Sequence, residues 1–194
     1  VKIIWVATTG DDTTGNGARE TPYKTIEKAL TVFDSGDQIR LLSGTYITTD
    51  SVVIQGKDGS IFAEDPQGAY IQPEKTTLHQ AGIAILEADR FTLQGINVIQ
   101  AADSTNNLIG IFASNIDNFL CYTCSVSNFE SPSGDGYGIF ATGSLGRVED
   151  CHVSNLIFGG NVYGIRVIGL DVIDCEVENL SGGQNCYSIY ASHA

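Results

Sequence analysis

The chain has 194 residues, 42% of them hydrophobic, and no Met. That suffices for one ordinary domain, while no apolar run is long enough to span a bilayer and no signal-peptide pattern opens the sequence. Ten Lys and Arg against 23 Asp and Glu leave a formal charge of −13. This excludes nucleic acid and anionic membranes, whose phosphates need basic clusters, and disfavours a polyanionic sugar unless metal ions intervene.

In chain order, KIIWVAT reads as a strand and GDDTTGNGARET as an acidic, turn-rich loop that lacks the spacing of an EF-hand calcium site. In TPYKTIEKALTVF, Thr21 is a suitable cap and Pro22 suits a first helical turn. Ile26, Ala29, Leu30 and Phe33 fall on one apolar helical face. SGDQIRLLSGTY then reads as turn, strand, turn. Residues 1–46 are expected to form a strand, a loop and a capping helix leading into the first repeat. Such a helix would cover a strand edge that otherwise invites aggregation.

Residues 47–194 repeat. RVEDCHVSNL, from Arg147, and DVIDCEVENL, from Asp171, lie 24 residues apart; FLCYTCSVSNF (119–129) and FTLQGINVIQA (91–101) fill the same slots. A second motif, Gly-Ile, recurs at Gly82, Gly110, Gly138 and Gly164 and ends in SIYAS from Ser188, at spacings of 28, 28, 26 and 24. Such a period signals stacked units that complete one another's core. Alternation within each motif has the period of a strand, and the slip between Val172 and Cys175 marks a corner. Each repeat is therefore one coil of two or three short strands, in a single all-β domain of about six coils stacked at roughly 4.8 Å.

Stacking predicts columns. Cys124, Cys151 and Cys175, with Ile96, form one in the interior; Val98, Val126, Val153 and Val177 form another. Asn128, Asn155 and Asn179 form a ladder at a buried corner, where Asn tolerates a left-handed backbone and an amide can satisfy its copy in the next coil. Cys121 aligns with Val148 and Val172, so CYTC reads as packing; no second pair of ligands at zinc spacing accompanies it. The five cysteines are expected to be buried free thiols, which points to folding in a reducing compartment.

The segment WVATTGDDTTGNGARETPYKTIEKALTVFDSGDQIRLLSGTYI resembles the N-terminal part of right-handed parallel β-helix proteins of the pectate lyase superfamily, which includes many phage tailspikes. The resemblance implies a right-handed, single-stranded helix. It leaves the function open, because this fold carries lyases, hydrolases, epimerases and inert scaffolds. The last strand, YSIYAS, starts a coil without a following cap, so the expectation is either that the chain is a fragment or that something else covers that end.

Chemistry is sparse. A lyase similar to this superfamily would need clustered acids for calcium and a basic residue; the candidates are Glu87, Asp89, Asp117 and Arg90. Glu87 and Asp117, from adjacent coils, are the pair that could approach the ~5–9 Å carboxylate separation of a glycosidase. His152 sits in an outward slot beside Cys151 and cannot form a dyad with it, since strand neighbours face opposite sides. His79 and His193 have no visible partner, and Asp174, Glu176 and Glu178 form a solvated acidic row. One outward column reads Ala84, Phe112, Phe140, Arg166, Tyr190. It is read as covered by a loop, as an interface rich in aromatics and Arg, or as a sugar-stacking face.

With no catalytic cluster evident, the resemblance to tailspikes implies a non-enzymatic virion part, homotrimeric, meeting capsid or tail proteins through Phe112, Phe140, Arg166 and Tyr190, folded in the host cytoplasm, with no metal and no cofactor. The alternatives are a polysaccharide lyase or hydrolase and a non-catalytic glycan-binding module.

Overall fold

The computed structural model describes residues 1–66, 68–74, 76, 80–99 and 107–192. Strand β1 (Ile3–Val6) and helix α1 (Ile26–Val32) precede six three-strand coils. The first coil is β2 (Asp37–Leu41), β3 (Gly44–Thr48), β4 (Val52–Gln55); the second β5 (Gly59–Ala63), β6 (Ala69–Pro73), β7 (Ala81–Leu86). β8 (Arg90–Gln94), β9 (Ile96–Ile99) and the first half of β10 (Leu108–Tyr122) make the third. The second half of β10, β11 (Ser125–Ser131) and the first half of β12 (Gly136–Glu149) make the fourth. The rest of β12, β13 (His152–Phe158) and β14 (Val162–Ile168) are followed by β15 (Asp171–Ile173), β16 (Glu176–Gly182) and β17 (Cys186–Ser192).

Every strand pair between coils is parallel. The second strands stack as one six-stranded sheet, β16-β13-β11-β9-β6-β3, so five full turns separate its first and last members. The first and third strands join into an 11-stranded sheet, because β10 and β12 bend round the corner without breaking. In β10 the corner falls at Asn115, in the left-handed region (φ 56°), where the register shifts. The result is an all-β parallel β-helix.

The columns stack as their periodicity requires. Val98, Val126, Val153 and Val177 are register partners, and so are Leu93, Cys121, Val148 and Val172. Those from Val98 to Val153 and from Leu93 to Val148 are buried. The repeated glycine has a steric cause that joins the two motifs. A Cβ on Gly82, Gly110, Gly138 or Gly164 would overlap Cγ1 of Val98, Val126, Val153 or Val177, respectively. The third strand thus approaches the valine column more closely than any side chain permits.

The corners are built from left-handed residues. Asn128, Asn155 and Asn179 have φ of 61°, 55° and 53°, and Asn155 Nδ2 donates to Asn128 Oδ1 at 3.1 Å. This ladder is exposed rather than buried, because the side chains leave the corner outward. A second column of corners, Gly95, Thr123, Asp150 and Asp174, also has positive φ.

The N-terminal segment differs from expectation in detail. The helix cap is Thr25, whose side chain accepts from Lys28 N at 3.2 Å. Thr21 and Pro22 stay extended, with Thr21 bridged to Ala18 and Tyr23 to Val6. At seven residues, ~10 Å of helix is too short to close the end of the stack; β1 covers the β2 edge instead, pairing in parallel. The G-D-D turn fastens this segment. Asp11 Oδ1 accepts from the N–H of Thr13 and Thr14, and Asp12 accepts from Lys24 N, Thr25 N and Thr25 Oγ. The boundary at 46/47 falls inside β3; the first coil opens at β2.

Candidate functional site

The four acid–base candidates sit at turns of neighbouring coils, where Asp117 N donates to Ala88 O at 3.2 Å and Asn118 N to Asp89 O at 2.9 Å. Glu87 is not on a strand: it occupies a left-handed corner (φ 56°) after β7, and its Oε2 accepts from Gln55 Nε2 at 2.9 Å. Asp89 and Arg90 turn into β8, where both backbone N–H groups donate to Asp58 Oδ1 at 2.9 Å. Asp117 lines a groove of about 340 Å³ with Asn115, Thr142 and Ser144, and its Oδ1 accepts from Ser144 Oγ at 3.5 Å. Glu87 lines no part of it. These carboxylates are corner and turn residues.

The cysteines are free: Cys121, Cys124 and Cys151 are buried, and Cys175 is half-buried. Contacts with Cys124 and Cys151, together with burial, push the Cys121 thiol well up; a hydrogen bond with Cys151 and burial do the same for Cys175. Cys186, expected to be buried, is exposed on β17. His79, His193 and most of AADSTNN lie outside the described residues.

The aromatic column is real, but its rings are largely engaged with one another. Phe112 and Phe140 are half-buried with centroids 5.6 Å apart. Beside them runs a row absent from the expected column, Tyr137, Tyr163 and Tyr187, stacked at 4.9 and 4.8 Å with planes within 10° of parallel. The sequence signal was the tyrosine before the last two Gly-Ile motifs and before Ser188-Ile189. Arg166 lies over the rings of Phe140 and Tyr163 at 5.1 and 5.2 Å, and its Nη1 donates to Tyr137 Oη at 3.5 Å. Burial raises the Tyr137 hydroxyl, with Arg166 opposing. Rings stacked along the helix axis show solvent their edges. Their faces, which a sugar would need, are turned to the next coil, and Ala84 in the same column is fully buried.

A larger groove lies on the other side, over the six-stranded sheet. It encloses about 560 Å³ and is lined by Tyr70, Asn97, Ser125, Ser127, Asp150, Cys151, His152, Asp174 and Glu176. Five of these form one outward column, because Tyr70, Asn97, Ser125, His152 and Glu176 are successive register partners. The floor is fixed. Asn97, 4% exposed, donates to Ala69 O at 3.1 Å and accepts from Ser125 Oγ at 2.5 Å. His152 is clasped by the acidic row, with Nδ1 at 3.4 Å from Glu176 and Nε2 at 3.6 Å from Glu178. Both ring nitrogens therefore face the next coil and neither faces Ser125, so the row of serine, imidazole and carboxylate is not an assembled nucleophile. No Lys or Arg lines the groove. Among the described residues no group of three or more His, Cys, Asp or Glu is placed to hold a metal.

Three solved structures share the architecture. This chain aligns over 100% of its length with 66% of a rhamnogalacturonan lyase (TM-score 0.62, 14% identity). It aligns over 88% with 65% of the pectin methylesterase PemA from Erwinia chrysanthemi (TM-score 0.52, 14% identity), and over 97% with 85% of the pectin methylesterase from Aspergillus niger (TM-score 0.52, 13% identity). The chain thus spans just under two thirds of the first two, and identities this low establish the fold alone. None of the three is a virion protein. No curated protein sequence matches the chain significantly. Residues 8–120 match a family described as proteins of unknown function, DUF1565. That is more than half of the chain, and the chain belongs to the DUF1565 family.

Proposed function

We propose that this chain is a glycan-binding β-helix that works without catalysis, and that it holds a neutral polysaccharide in the groove over its six-stranded sheet. The observation that carries this reading is the outward column Tyr70, Asn97, Ser125, His152 and Glu176. Hydroxyl, amide, imidazole and carboxylate groups repeat once per coil, ~4.8 Å apart, along a preformed trough with an aromatic residue at one end. Sugar hydroxyls need such alternating donors and acceptors, and an exposed tyrosine suits the apolar face of a pyranose. The acidic rim of Asp150, Asp174 and Glu176, with no cation among the lining residues, repels a polyuronate. The pectin-related names of the fold neighbours therefore do not transfer as a substrate.

Calorimetric titration with neutral xylo-, manno- and gluco-oligosaccharides tests the reading. At least one class binds. Tyr70→Ala and His152→Ala each weaken it about tenfold, near 1.4 kcal/mol, with no new reducing ends released. Absence of binding to every neutral class, or binding indifferent to both substitutions, overturns the proposal. Release of reducing ends would make the chain an enzyme instead.

A further inference from the structure

The cysteine cluster has a geometry that simple packing does not require. Cys121 ends β10 and Cys151 sits in the turn before β13, on adjacent coils, yet they are not register partners: Cys121 stacks on Val148. The two side chains converge across the interior corner. Their sulfurs are 3.7 Å apart, and Cys151 Sγ also reaches Cys121 O at 3.5 Å. Cys124 Sγ reaches Tyr122 O at 3.4 Å and also contacts the Cys121 and Cys151 thiols. Cys175 Sγ accepts from Cys151 N at 3.4 Å and reaches Val148 O at 3.4 Å. Both thiols are buried, so a small oxidant reaches them when the corner opens locally.

We propose that Cys121 and Cys151 are a modification site: a two-electron thiol oxidant converts them into a disulfide that staples two coils together. The two S–H bonds break, one S–S bond forms, and two protons and two electrons pass to the oxidant; with diamide they reduce its N=N bond to the hydrazine. The sulfurs must close from 3.7 Å to about 2.05 Å. Cys151 lies one coil on and three residues past the register partner of Cys121, so closure takes side-chain rotation together with a small shift of the Cys151 turn. Contacts with the neighbouring thiols and burial hold the Cys121 thiol protonated, so the reaction is slow at neutral pH and faster in alkali. The site is independent of the glycan reading.

The test uses the full chain with Cys186→Ser, which removes the exposed thiol, treated with diamide. Intact-mass measurement should show the loss of two hydrogens, and peptide mapping should join the Cys121 and Cys151 peptides. Cys124→Ser and Cys175→Ser keep that bond. Cys151→Ser and Cys121→Val abolish it; valine already occupies the Cys121 column in the next two coils, so that variant folds. The oxidised chain should melt higher by about 10 °C, as expected for a closed loop of this size in a protein of this length. An unchanged mass, oxygen addition without loss of hydrogen, or a bond that survives Cys151→Ser overturns the proposal.

Discussion

Two outer faces of this solenoid are built by the same coils and carry opposite chemistry. Over the six-stranded sheet, successive coils present amide, hydroxyl, imidazole and carboxylate groups, and the surface sinks into a groove of about 560 Å³. On the third-strand face, successive coils present phenylalanine and tyrosine, with Arg166 among the rings. In-register stacking explains the contrast. Planar apolar groups repeated at the coil spacing satisfy one another: their faces are consumed and the face becomes internal glue. Hydrogen-bonding groups repeated at that spacing satisfy one another incompletely, as Ser125 shows by donating to Asn97 while its own lone pairs stay available, and leave capacity for a ligand. Repetition of rings stabilises, whereas repetition of mixed polar groups recognises.

The largest expected effect breaks both faces together. Gly138→Ala drives a Cβ into Val153 Cγ1 and toward Gly164 O, so the third strand must leave the valine column. Overpacking of this kind costs about 1–3 kcal/mol, and the midpoint of denaturant unfolding should fall accordingly. The same change at the exposed glycine Gly36 is a poor control, because its φ of 90° carries its own strain. Tyr163→Ala separates the faces. It removes the central ring of the row, stacked at 4.9 and 4.8 Å on its neighbours, and should cost about 1–2 kcal/mol while leaving titration of neutral oligosaccharides unchanged.

Tyr46 gives a pH-dependent control that touches neither face. Burial pushes its hydroxyl up to about 12 from 10.0, and the hydroxyl donates to Leu42 O at 2.6 Å and Val6 O at 2.9 Å. A folded-state value above the unfolded one stabilises the chain fully below pH 10.0, and that contribution is lost as pH rises toward 12. Stability measured across this window should fall in the parent and fall less in Tyr46→Phe. The smallest effect belongs to Arg166→Met. The Arg166 Nε is buried without a hydrogen-bond partner; removing that unsatisfied donor offsets the lost ring contacts, so stability should change by less than about 1 kcal/mol.

Much of the fold was legible in the sequence because a stack converts a repeat directly into contacts. Aligning RVEDCHVSNL on DVIDCEVENL is already the register of β13 on β16. The corner asparagines were legible for the same reason, although their exposure was not, since a repeat gives position along the coil and not the direction in which a corner side chain leaves. The groove was written in the slot between the cysteine and valine columns, Asn97, Ser125, His152, Glu176. Its members differ in type, so no motif marks it, and its depth depends on how adjacent turns flank the sheet. Glu87 misled because its neighbours read as a strand, while the left-handed corner at that position has no local signal in a non-glycine residue.

The most direct test of the central claim is to map, by chemical-shift perturbation, which face moves when the neutral oligosaccharide that binds best is added. The account predicts shifts at Tyr70, Ser125, His152 and Glu176, following the column along the groove. Shifts confined to Tyr137, Tyr163, Arg166 and Tyr187 would contradict it and return recognition to the aromatic face.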